Sequence, residues 1–64
     1  MARPSGRMEA LAQYIATEIS FGAKVEQRGS LILLTGAVVA IVTSAPASAE
    51  MLIARARAIL EELA

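Results

Sequence analysis

The chain has 64 residues, with six Lys or Arg balanced by six Glu, and its 56% hydrophobic content comes from Ala, Leu, Ile and Val rather than from aromatics. One small domain is the expectation. Cys, His, Asp, Asn and Trp are absent, which excludes disulfides, the common zinc and copper ligand sets, thiol or imidazole catalysis and paired Asp carboxylates.

Residues 1–7 read as a short, polar, turn-prone arm in which Ser5 can cap a helix, and residues 8–64 as a single α+β domain. Met8, Leu11, Ala12, Ile15 and Ile19 recur at three- and four-residue steps and predict one apolar helix stripe, with Glu9, Gln13, Thr17 and Glu18 lying off it. Tyr14 also lies off that stripe, and an amphipathic aromatic in that position is a candidate contact for a partner. Phe21 and Gly22 mark the helix end.

From residue 23 to 28 the pattern changes to alternation. Lys24, Glu26 and Arg28 share one strand face and Ala23, Val25 and Gln27 the other, so this strand is half solvated or at an edge. Arg28, Gly29 and Ser30 suit a tight turn. Residues 31–34 and 37–42 are apolar on both faces, with Thr35 and Gly36 as the break between them, and strands of that kind are expected to be covered on both sides. Leu33 and Ile41 would then belong to the sheet core. Ser44 or Ser48 is the expected cap of a last helix, and Pro46 fits only in its first turn. That helix carries Ala49, Leu52, Ile53, Ala56, Ile59, Leu60 and Leu63 on one stripe, with Glu50 near its start to meet the helix dipole, Arg55 and Arg57 on a solvated face rather than against an acidic partner or phosphates, and Arg57 four residues before Glu61 as a surface pair.

Residues 29–49 contain no charge and end in Ala47, Ser48 and Ala49, which imitates a signal-peptide apolar region with its cleavage site. Cleavage there would leave only residues 50–64 and would place an amphipathic helix ahead of the signal, so buried strands are the better reading. The polar and Gly/Pro interruptions of the same stretch argue against a membrane span. Cytoplasmic location is the default expectation.

The fold class is therefore α+β: a small three-stranded antiparallel sheet flanked by two amphipathic helices in the order α-β-β-β-α, and oligomeric. A lone core in a chain this short rarely supplies more than ~3–5 kcal/mol, and association is the usual remedy when no disulfide or metal is available. Either the two helices flank opposite faces of the sheet or a second chain covers the open face. No cofactor, metal ligand or catalytic group is expected. Glu, Lys, Ser, Thr, Tyr and Arg occur in no spacing that would activate a nucleophile or separate two carboxylate pKa values. Nor is there a basic run to hold nucleic acid.

The stretch from Gly22 through Arg28 and Gly29 to Leu34, the Thr35-Gly36 break, residues 37–42 and the Ile53-Ala54-Arg55-Ala56-Arg57-Ala58-Ile59-Leu60 helix resemble the C-terminal half of a Roadblock/dynein light chain domain. The complete domain of that family has a further helix and two strands ahead of this half, so the resemblance implies a partial version completed by self-association. It implies a non-catalytic homodimer or higher homo-oligomer that docks a small GTPase or a scaffold protein. The first helix and the charged strand would carry the dimer contact, which singles out Leu11, Ile15, Ile19, Lys24 and Val25. Two other likenesses stand beside it. The strands and Ala/Arg-rich helix are similar to the back half of a K-homology domain, whose Gly-x-x-Gly loop is absent here. The very apolar hairpin is similar to gas-vesicle shell subunits, which implies a self-assembling shell or filament.

Overall fold

A computed structural model describes residues 6–36 and 40–63; the proposed Ser5 cap and residues 37–39 of the third strand lie outside them. The order is α1 (Gly6–Ser20), β1 (Val25–Arg28), β2 (Leu31–Leu34), β3 (Ile41–Val42) and α2 (Pro46–Leu63). This is an α+β fold with one antiparallel sheet in the order β1-β2-β3. Helix α1 takes in Gly6 and Arg7, which the sequence assigns to the arm.

The apolar stripe of α1 folds as its spacing requires. Ala12 and Ile15 are fully buried, and Met8, Leu11 and Ile19 pack around them. Ala16, buried just as deeply, belongs to the same stripe although its small side chain is easily overlooked in the pattern. The helix ends in a Schellman motif: the Ala23 amide donates to the Glu18 carbonyl and the Gly22 amide to the Ile19 carbonyl, both at 2.9 Å. Gly22 has φ +99°, a backbone state that a Cβ disfavours.

Strand β1 begins at Val25, two residues later than alternation suggests, because the Schellman turn still holds Ala23. Lys24 is joined to the sheet by an improvised rung. Its carbonyl accepts from the Thr35 amide (3.1 Å), while its amide donates to the Thr35 hydroxyl rather than to a carbonyl (3.0 Å). Arg28 pairs with Leu31 across a two-residue loop, and Gly29 at φ +59° with Ser30 at negative φ is the arrangement a type II′ hairpin turn requires.

Hydrogen bonding alternates along β2. The Lys24–Thr35 rung fixes Glu26–Leu33 and Arg28–Leu31 as the bonded pairs toward β1, and the 2.8 Å bond from the Thr43 amide to the Ser30 carbonyl fixes Ile32–Ile41 toward β3. Among the described residues β3 is shorter than the apolar run suggests, since Ala40 stands outside it.

Helix α2 starts at Pro46, the first helical position, where a missing N–H is harmless. Ala45 takes the cap place: the Ala49 amide donates to its carbonyl at 3.2 Å. Neither serine proposed as a cap fills that place, because Ser44 precedes it and Ser48 is already helical. Gln27, the one polar residue on the inner side of β1, reaches the carbonyls of Gly29 (3.2 Å) and Pro46 (3.3 Å) and so pins the start of α2 beneath the hairpin. Glu50 lies beyond the first turn, which contains no acidic residue, so its contact with the dipole is weaker than its position in the sequence suggests.

Both helices lie on the same face of the sheet. Ala12, Ile15 and Ala16 of α1, Ile32 and Leu34 of β2, and Ala49, Leu52, Ala56 and Ile59 of α2 form one buried cluster. The helices run side by side in the same sense: Met8 and Leu11 share a groove with Ser48 and Leu52, and Gln13 and Thr17 one with Ile59 and Glu62. Alanines on both helices are buried in this cluster, where their small side chains permit close approach. Of the two arrangements expected, the one with the helices on opposite faces of the sheet is therefore corrected, since one helical layer covers one face. Leu33 is half-buried on the opposite face and is not part of the core, whereas Ile41 packs against it.

Candidate interaction surface

Because side chains alternate along a strand, the residues opposite the helices can be read from the register. On β1 they are Glu26 and Arg28, with Lys24 just ahead of the strand, all exposed. Arg28 Nε donates to Glu26 Oε1 at 2.7 Å across this row. On β2 they are Leu31, 36% exposed, and the half-buried Leu33; on β3 it is Val42, 72% exposed. Leu31 stands between Arg28 and Val42, and Leu33 faces Glu26. The outer face is thus graded, with charges of both signs along the β1 edge and bare aliphatic side chains on β2 and β3. A buried strand needs apolar residues on both faces, and this sheet has them although, among the described residues, the helices cover only one face.

A second feature is the free edge. Since Glu26 and Arg28 direct their backbone groups toward β2, Val25 and Gln27 direct theirs away from it. Among the described residues no hydrogen bond reaches these outward groups.

The sequence-derived contact residues do not converge on one surface. Ile15 is fully buried in the chain's own core, and Leu11, Ile19 and Val25 pack against it, half-buried. Tyr14, 38% exposed, is on the helical layer. Lys24 is exposed on the outer sheet face at the start of β1. Leu31, Leu33 and Val42 form an apolar row on the outer face that the sequence reading did not single out. The available signal was the supply of cover, because two helices packed against each other cannot also enclose a sheet.

The helical layer carries an ion-pair system. Arg55 Nε donates to Glu9 Oε1 at 2.8 Å and Oε2 at 3.2 Å, and Arg55 Nη2 donates to Oε2 at 3.0 Å. Glu62 Oε1 lies 3.8 Å from Arg55 Nη1. The hydrogen bonds from Arg55 hold the Glu9 carboxyl below its usual range against an opposing desolvation effect, and the same bonds raise the Arg55 guanidinium above its own. Arg55 is therefore half-buried and paired rather than solvated, and the expected pair of Arg57 with Glu61 does not form. The reason is reach: Arg55 faces α1 and finds a carboxylate there, whereas Arg57 points to solvent.

A groove of about 360 Å³ lies where the two helices begin, between Arg7, Met8 and Leu11 on one side and Thr43, Ser44 and Ser48 on the other. Among the described residues no group of His, Cys, Asp or Glu is placed to hold a metal ion, and no helix is long and apolar enough to cross a membrane. No family model, curated protein or solved structure matches this chain.

Proposed function

We propose that the protein is a non-catalytic interaction module that associates with itself, a second copy covering the outer face of the sheet. The observation that carries this reading is the Leu31, Leu33 and Val42 row, apolar side chains on the sheet face that neither helix covers. The size of the core supports it. Among the described residues four of the nine that are buried are alanines, and a core of this volume gains from any further apolar burial. Cytoplasmic location and a small GTPase or scaffold protein as further partner belong to the same proposal; the element order α-β-β-β-α supports the Roadblock-like version of it.

The test is native mass by light scattering over a range of concentrations in detergent-free buffer. A defined dimer or tetramer that falls in mass on Leu31→Glu or Val42→Glu, with circular dichroism unchanged, is the expected result. A monomer at all concentrations overturns self-association. Very large species favour the shell or filament reading, and salt-dependent retention on nucleic acid favours the K-homology-like one.

A further inference from the structure

The outer face is one surface left open by the fold, and the β1 edge is the other. This strand offers outward N–H and C=O groups at Val25 and Gln27, and the sequence 25–28 holds no proline that would block pairing. Its outer row also carries charges of both signs at neighbouring positions, Glu26 and Arg28, so it is complementary to a reversed copy of itself.

We propose that two copies join edge to edge, β1 antiparallel to β1, about a two-fold axis at Gln27. This deepens the self-association proposed above and rests on it. In this register Gln27 forms a hydrogen-bonded pair with its own copy, since its backbone groups point outward. The two flanking pairs each set Glu26 opposite Arg28 of the partner subunit, at the close spacing of non-bonded pairs. An axis at Glu26 instead puts Glu26 opposite Glu26 and Lys24 opposite Arg28, so like charge disfavours it. An axis at Val25 makes Ala23 opposite Gln27 the next bonded pair, and the Ala23 amide is already given to the Glu18 carbonyl. The joined sheet has six strands with both outer faces on one side, and stacking of those faces then makes a tetramer.

Glu26→Arg and Arg28→Glu provide the test, each placed in a Val42→Glu chain so that edge contact alone remains. The parent Val42→Glu chain is expected to be a dimer by light scattering. Each charge variant should dimerise about tenfold more weakly, because two attractive cross-strand pairs become repulsive. An equimolar mixture of the two should regain the parent affinity, since both pairs are then again of opposite sign. Undiminished dimerisation by Arg28→Glu, or a mixture no tighter than its components, overturns the edge contact and leaves the outer-face reading standing. A wild-type chain that is monomeric overturns both. If circular dichroism shows a charge variant unfolded, a synthetic Val42→Glu chain with the Gln27 amide N-methylated replaces it; that chain should be monomeric, and a dimer overturns the proposal.

Discussion

Glu9 and Arg55 stand 46 positions apart in the chain and meet in a fork of three hydrogen bonds, the shortest 2.8 Å, that ties the first half of α1 to the middle of α2. Bidentate geometry of this kind is directional as well as electrostatic, so it sets how far the two helices slide along each other.

Acid should weaken the fold through this pair. The Glu9 carboxyl is held below its unfolded value, so its contribution is complete above that unfolded value and is lost as pH falls through the lower, folded one. Arg55 is shifted upward, so its contribution persists throughout the acid and neutral range. Urea unfolding between neutral pH and pH 3 should show a decline in midpoint that is smaller in Glu9→Gln than in the wild type. Equal declines would assign the acid sensitivity to other carboxylates.

Arg55 and Arg57 should behave differently although both lie on α2. Arg55→Glu places a third carboxylate beside Glu9 and Glu62 and is expected to lower the thermal midpoint. Arg57→Glu, exposed and unpaired among the described residues, should leave stability within about 0.5 kcal/mol of wild type. Thermal melts of the two single variants check this directly.

Neighbours on β2 should likewise part company. Ile32→Asp puts a charge without a partner into a fully buried position and should abolish the folded state. Leu33→Asp, on the outer face, should retain the native circular dichroism spectrum while reducing self-association. If both variants unfold, the outer face is more deeply embedded than a single covered side allows.

The helix seam is the fourth test. Ala16 and Ala56 are buried at 1% and 0% exposure, and Ala56→Leu should cost about 1–3 kcal/mol by overpacking. Ile15→Ala leaves a void instead and should cost about 2–5 kcal/mol. Chemical denaturation of both measures whether the seam is as tight as its alanines indicate.

Local pattern carried much of this architecture. The 3.6-residue spacing located both helices, Gly22 and Gly29 located the breaks, and alternation separated Lys24, Glu26 and Arg28 from Val25 and Gln27. What local pattern does not contain is the side of the sheet to which each helix returns. Periodicity says that Leu31 and Leu33 are apolar, but whether they are covered depends on where α1 and α2 pack. The Glu9–Arg55 fork was hidden for the same reason: an arginine on a helix reads as solvated until the opposing helix is in place. The choice of Ala45 and Pro46 over a serine cap depends on Thr43, whose hydroxyl lies 2.9 Å from the carbonyls of both Ser30 and Ala45 and so shapes the turn.

The parallel course of the helices also gives the molecule an electrical direction that its zero net charge conceals. Both carbonyl ends lie at the same pole, where Glu18, Glu61 and Glu62 outnumber Lys24, so peptide dipoles and side chains add along the helix axes instead of cancelling. In the field of a charged surface such a molecule favours one pole over the other. Its orientation on contact is biased before any short-range interaction forms, and that bias fades as ionic strength rises.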